Sequence, residues 1–376
     1  MKLKTGFVWH EIYAWGLQAN DAQSNPSECM FEPLPSNEGP EAKRRVRNLL
    51  EASGLLGNLE RVDAITPEVA DLERVHAADY LEHFRSCSAA GWGEVSGEQG
   101  PTMLAFRNSW EISLLAAGGT IAAVAAVTSG TVQNAYALVR PPGHHARRTE
   151  AMGYCFLANA AIAARYAQEK LGVARVAIID WDVHHGNGAQ EIFYRDPSVL
   201  TISLHQEGAY PYNTGTVGET GEAEGIGSNL NIPLPAGSGD GAYAYAFDSL
   251  VIPALEKFRP ELIIVSCGFD AANGDNTGRM MLHSGSFRAM TRKLMDCAAQ
   301  LCQDRLVFTH EGGYNPATVP YLALAVIEEL SGHRTTVVDP FEPVWSQAPG
   351  QALYPHQRTE VDHVARHARK LGMLAA

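Results

Sequence analysis

Residues 173–187 read Val173-Ala-Arg-Val-Ala-Ile-Ile-Asp180-Trp-Asp182-Val-His184-His185-Gly-Asn187. The run Val173–Ile179 is mostly apolar and stops abruptly in acids and histidines, which predicts a buried strand ending at a polar rim. The same grammar recurs on both sides of it. Ala135–Val139 precedes Arg140-Pro-Pro-Gly-His144-His145, Leu262–Cys267 precedes Gly268-Phe-Asp270, and Leu306–Thr309 precedes Glu311-Gly-Gly-Tyr314; Val199–Leu204 is a fifth run. Helical patterns lie between several of them, at Ala158–Lys170, Ala242–Phe258 and Ser286–Gln303. Continuous apolar runs separated by helices predict an α/β fold, a parallel sheet covered on both faces in three layers, α-β-α. Ligands of such sheets bind beyond the carboxyl ends of the strands, so the four polar endings are expected on one rim.

The rest of the chain sets bounds. With 376 residues, 45% of them hydrophobic, the chain fits one large α/β domain over residues 1–376 as well as two small ones. The formal net charge of −13 argues against a non-specific nucleic-acid binder and mildly favours cationic partners. Six cysteines form no C-x-x-C pair, and read as reduced thiols in a cytoplasmic protein. Trp9, His10 and Glu11 stand where a signal peptide needs an apolar stretch. The uncharged segment Ile112–Val139 is rich in small residues, and reads as a packed helix, a turn and a buried strand rather than a membrane span. Residues 18–40 and 86–102 read as long loops near the site entrance, and Glu41–Leu56 as a helix. The first of these loops and the segment after His333 are candidate subunit contacts in a homo-oligomer.

Asp182, His184 and Asp270 offer two carboxylates and an imidazole, a donor set that suits zinc with open positions. Asp-x-His at a strand end would put both side chains on one face, with Asp180 beside them. Taken singly, each acid is as readily a strand cap. Two neighbouring aspartates repel, however, and a divalent cation resolves that repulsion. His144 and His145 are candidate proton carriers, with Asp180 available to fix one imidazole. A lone His-His pair is more often a loop feature, and a lone tyrosine a surface residue. On this rim, Tyr314 can donate to a developing oxyanion. Together the groups specify hydrolysis of an amide by metal-activated water. Neither a G-x-S-x-G elbow nor a Walker-type phosphate loop is present.

These residues resemble the histone deacetylase family. The similarity is carried by Arg140-Pro-Pro-Gly-His-His-Ala146, Met152-Gly-Tyr-Cys-Phe156, Asp180-Trp-Asp-Val-His-His-Gly-Asn-Gly188, Ser203-Leu-His205, Gly268-Phe-Asp270 and Glu311-Gly-Gly-Tyr314, and it spans about Arg74 to Gly332. The class II branch, with its bacterial amidohydrolases, looks most similar. The resemblance implies the arginase–deacetylase fold with an eight-stranded, mostly parallel sheet, and one zinc at Asp182, His184 and Asp270. It implies His145 as general base and acid, His144 with Asp180 as orienting and electrostatic partner, and Tyr314 on the substrate carbonyl. Asn187, where class I enzymes have Asp, gives His145 a neutral partner and a lower expected pKa. It also implies potassium, at an inner site of Asp180, Asp182, His184, Ser203 and Leu204 and an outer one of Phe193, Asp196, Val199 and Ser228.

Two departures bear on substrate. The family's acyl-lysine tunnel has two phenylalanines; here Tyr154, after Gly153, takes one place and Tyr210 the other, making a wetter tunnel. Polyamine-selective relatives carry an acid at the tunnel mouth, where this chain has Thr277. Glu98 is the nearest candidate for the rim acid that grips a substrate backbone. The expected substrate is an acetylated lysine peptide or a small acylated amine. An acetylpolyamine amidohydrolase is the alternative, and a non-catalytic zinc-containing acyl-lysine binder the alternative of another class. An arginase-like dimanganese enzyme would need more ligands than these strand ends supply.

Overall fold

The structure is a computed structural model that describes residues 4–16, 36–97 and 102–375. Among the described residues ten strands appear in chain order: β1 (Gly6–Val8), β2 (Glu60–Arg61), β3 (Trp92–Glu94), β4 (Leu104–Phe106), β5 (Ala135–Ala137), β6 (Val176–Asp180), β7 (Val199–Gln206), β8 (Asn229–Leu234), β9 (Leu262–Cys267) and β10 (Leu306–His310). Eight make one sheet in the order β2-β1-β5-β10-β9-β6-β7-β8. Every pairing in it is parallel.

Side-chain alternation divides the apolar residues of the sheet between two cores. Ala177, Ile179, Ile263, Val265 and Phe308 face the helices Glu41–Ala52, Ser284–Leu301 and Val319–Ser331. Val176, Ile178, Leu262, Ile264 and Val307 face Ser109–Thr128 and Asn159–Lys170. Strands covered on both sides must be apolar at consecutive positions, which is why these runs stand out in the sequence.

The helix Ser109–Thr128 is long and apolar enough to cross a membrane, yet 67% of its most apolar window is buried inside the protein. It packs so closely that a Cβ on Gly118 would overlap the backbone carbonyl of Ile65. The turn and strand expected after it follow as β5. The helical pattern Ala242–Phe258 spans three pieces, Asp240–Ala246, a π-helical turn Phe247–Val251, and Ile252–Phe258. Pro253 lacks the N–H that would continue the ladder, which accounts for the wider turn before it.

The reading of 86–102 as a loop is corrected. Residues up to Ala90 complete the helix Ala78–Ala90, Gly91 ends it at φ 101°, and β3 then pairs antiparallel with β4. The glycines that suggested a loop mark this cap and hairpin. Most of the 18–40 loop, and the expected rim acid Glu98, lie outside the described residues.

Candidate active site

The loops after β5, β6, β9 and β10 meet at the carboxyl edge of the sheet, as the sequence grammar requires. β6 ends at Asp180, so Asp182 and His184 lie beyond the strand. Strand alternation therefore does not align them, and that expectation is corrected. Carboxylates fold the loop instead: Asp180 Oδ1 accepts from the Asp182 amide at 3.0 Å, and Asp182 Oδ1 from the His184 amide at 3.0 Å. Asp270 Oδ1 accepts from the Val183 amide at 2.8 Å, tying the ending of β9 to that of β6.

This folding gathers Asp182, His184 and Asp270, with ligand atoms within 4.8 Å of one another and all three residues buried. His184 Nδ1 lies 2.9 Å from Asp182 Oδ1 and 3.1 Å from Asp270 Oδ2. Asp270 Oδ2 is buried with no hydrogen-bond partner. Burial, and then the charge of Asp182, push the Asp270 carboxyl up to about 7. Gly268 and Gly312 make room for these acids, since a Cβ on either would collide with Asp182 Oδ2, and on Gly312 with Asp270 Oδ2 as well. Two crowded, buried carboxylates, an orphan oxygen and a cradle that a methyl group would fill are what a divalent-cation site requires.

Two histidines face this cluster with different partners. His144 Nδ1 is 3.0 Å from Asp180 Oδ2, and His145 Nδ1 donates to Asn187 Oδ1 at 2.7 Å. Their rings lie 3.9 Å apart, centroid to centroid. Burial opposes charge on His144, but Asp182 and Asp180 overcome it and raise its pKa well above the usual range. Burial, then the positive neighbours His144 and His184, hold His145 well below it. One imidazole is thus built to be cationic and the other to be neutral, with Nε2 of His145 as the free base.

The turn that carries them is pinned from below by Glu311, whose Oε2 accepts from the amides of Gly143 (2.6 Å) and His144 (3.2 Å). Gly143 has no room for a side chain against the Asn159 amide and the Leu157 carbonyl. Gly153 (φ 53°) and Tyr154 (φ 66°) are consecutive left-handed residues, and a Cβ on Gly153 would run into the His145 ring. The left-handed pair tucks the chain under His145 and brings the Tyr154 ring to 5.9 Å from that of Tyr314. The Tyr210 ring stands 5.2 Å from His145 and 6.2 Å from His184. Of the two tyrosines expected in the tunnel, Tyr210 thus stands against His145 and His184, and Tyr154 against Tyr314.

Tyr314 is oriented by a residue that carried no role in the sequence reading. Its amide donates to Asp275 Oδ2 at 2.8 Å, and Asp275 Oδ1 accepts from Thr277 N and Oγ1 at 2.9 and 2.8 Å. The Thr277 hydroxyl thus braces Asp275. Burial first, then Asp270 and Asp182, raise the Tyr314 phenol well above its usual range, so it stays a neutral donor. Asp275 and Glu311 carry no mark in the sequence because most of their partners are backbone amides, which no residue pattern reveals.

A second layer holds the Tyr210 segment. Glu219 accepts from Gln190 Nε2 (2.6 Å), Gly215 N (3.0 Å), Thr216 N (3.2 Å) and Thr216 Oγ1 (2.9 Å). Of the residues expected to hold potassium, Ser203 sits opposite Asp180 in the β6–β7 register, Leu204 follows it, and Ser203 Oγ accepts from Gly186 N at 3.3 Å. At the outer site, Phe193, Asp196 and Val199 are linked by turn hydrogen bonds, and the Ser228 carbonyl accepts from Thr201 N nearby. The Asp196 carboxylate is engaged by Arg165 and Ser198.

A three-layer α/β sheet whose carboxyl edge carries two aspartates, an imidazole, a histidine pair and a tyrosine defines the arginase–deacetylase class of hydrolase folds. Comparison with known proteins is more specific. Residues 37–330 match the histone deacetylase domain, and the chain belongs to that family. It is 46% identical over 369 residues to the histone deacetylase-like amidohydrolase of Pseudomonas aeruginosa, covering 97% of this chain and 96% of that one. It is 36% identical to a probable deacetylase of Archaeoglobus fulgidus, over 87% of this chain and 86% of that one. The crystal structure of the HDA15 HD domain superposes with a TM-score of 0.84 at 32% identity, covering 99% of this chain and 97% of that one. The chain is thus a member of the deacetylase and amidohydrolase group of hydrolases.

Proposed function

We propose that this protein is a zinc-dependent deacylase that hydrolyses the amide of acetylated lysine side chains or similar small N-acyl amines. The observation that carries this reading is the pairing of unlike histidines, one with Asp180 and one with Asn187, over the buried Asp182, His184 and Asp270 cluster. Asp182, His184 and Asp270 would hold the zinc, which when bound supplies a Lewis acid for the amide carbonyl and lowers the pKa of a water. His145, neutral and with its Nδ1 proton fixed by Asn187, takes the water proton at Nε2 and returns it to the departing amine. His144, cationic beside Asp180, favours the negative charge that develops on the carbonyl oxygen. Tyr314 donates its phenolic proton as a hydrogen bond to that oxygen. Tyr154 and Tyr210 would line the acyl-lysine path. Potassium at the Asp180–Ser203 junction would stiffen the loop beyond β6. The net charge of −13 suits a cationic substrate body, and Thr277, where polyamine-selective relatives have an acid, favours lysine over polyamine. Free thiols at all the described cysteines support a cytoplasmic location.

The test is an acyl-peptide panel, with acetylputrescine alongside, on protein of verified zinc content. Acetate release from acetyl-lysine peptides is expected, with one zinc per chain. Tyr314→Phe and His145→Ala should each keep the zinc and lose turnover by about a hundredfold or more, the scale of an oxyanion donor or a general base. Turnover surviving either change would refute the assigned roles.

A further inference from the structure

Among the described residues a second set of potential metal ligands lies beneath the first. His144, Cys155 and Glu311 offer a nitrogen, a sulfur and an oxygen, all within 4.8 Å of one another and all buried. Each is fixed by a different element. His144 is held by Asp180. Cys155 closes a tight turn through reciprocal backbone hydrogen bonds with Met152 at 2.9 and 3.0 Å. Glu311 has one oxygen committed to the Gly143 and His144 amides. Its other oxygen, Oε1, is fully buried and has no hydrogen-bond partner. An unpaired carboxylate oxygen is costly in such a place unless something binds it.

We propose that His144, Cys155 and Glu311 form a second metal site, selective for soft divalent ions such as cadmium, whose occupation silences the enzyme. The donor set explains the selectivity. A thiolate, an imidazole and a carboxylate prefer a softer ion than the two carboxylates and imidazole of the first cluster do. Binding forms metal–sulfur, metal–nitrogen and metal–oxygen bonds, and the Cys155 thiol and the His144 imidazolium each give a proton to solvent. No oxidation state changes. Thiolate and carboxylate together balance the charge of the ion, so the buried site becomes neutral. The Cys155 sulfur now receives the His145 amide at 3.4 Å and donates to the Gly153 carbonyl at 3.3 Å, weak bonds that a metal–sulfur bond outweighs. The loss of activity follows because His144 becomes a ligand and no longer serves the reaction; that consequence rests on the proposed deacylase reading, whereas binding itself does not.

The test titrates cadmium chloride into the zinc-loaded protein. A second equivalent should bind with ultraviolet cadmium–thiolate absorption, and turnover should fall in step with it. Cys155→Ser should lose the absorption and keep its own rate when cadmium is added. Glu311→Gln, which leaves every sulfur in place, should weaken the second equivalent by at least about tenfold. Asp270→Asn should lose the first metal and still develop the absorption. Absence of a second equivalent, or thiolate absorption that persists in Cys155→Ser, overturns the site. If Cys155→Ser does not fold, unchanged cadmium affinity in Glu311→Gln overturns it instead. A protein that takes up zinc and hydrolyses no amide would sink the deacylase reading, while the absorption would still decide this one.

Discussion

At the scale of single residues, the site depends on atoms that are missing as much as on those present. Gly312 leaves its space to Asp182 and Asp270, and its amide donates to Asp182 Oδ2 at 2.9 Å. Gly312→Ala should therefore fold, pushing the two carboxylates apart, and should lose most bound metal and most turnover. Metal content per chain, measured beside circular dichroism, checks this. His76 makes a different demand. Its Nδ1 faces the Arg147 carbonyl at 2.9 Å, and its Nε2 accepts from the Ala158 amide at 3.0 Å, so it is held neutral between two points of the one segment that joins β5 to the helix Asn159–Lys170. Burial lowers its pKa from 6.5 to about 4. Between those values the unfolded chain binds the proton that the folded one refuses. Stability is therefore complete above the unfolded pKa and falls as acid is added, by about 1.4 kcal/mol per pH unit and about 3 kcal/mol in all. Urea unfolding at several pH values across that window should show this slope, and His76→Gln should flatten it.

At the scale of elements, what the sequence reveals depends on whether both faces of a strand are covered. β9 is legible to the residue, because all six of its positions are buried and only Ser266 among them is polar. β6 and β10 are legible to within a few residues for the same reason. β1, only Gly6–Val8, is too short to show a period, and β8 carries Asn229, Asn231 and Pro233 at the sheet edge, where its asparagines serve Gln190. Such elements exist because their neighbours supply the pairing, which no local pattern encodes. The site residues on strand endings are legible as a set, whereas Asp275, Glu219 and Glu311 act on backbone amides of loops whose path only the fold defines. Glu219 yields a prediction at this scale. Four donors converge on it, so Glu219→Ala should release the segment bearing Tyr210. We expect KM for acetyl-lysine peptides to rise about tenfold with a smaller change in kcat, and acyl-length preference to broaden, as steady-state kinetics across the panel would show. Loss of stability should be about 1–3 kcal/mol.

At the scale of the whole molecule, one buried ion network joins segments far apart in sequence. Glu38 lies 2.8 Å from Lys43 Nζ and 2.8 Å from Arg140 Nε, with all three side chains almost wholly buried. Arg140 also donates to the carbonyls of Tyr13, Gly16 and Glu38. The N-terminal segment, the first long helix and the loop leading to His144 and His145 are thereby locked together. Removing the shared acid would leave two cations buried without compensation. Glu38→Ala should cost about 3–5 kcal/mol in denaturant unfolding, and Glu38→Gln less, because an amide oxygen still accepts.

The position of β10 has a consequence for how the protein comes into being. It is the last strand in the chain, yet it lies between β5 and β9 in the sheet. Until residues 306–310 emerge and insert there, the loop of His144 and His145 has no neighbour bringing Glu311, Gly312 and Tyr314. Pairings this distant in sequence form slowly. A growing polypeptide should therefore remain catalytically silent through most of its synthesis, and acquire its chemistry in one late step.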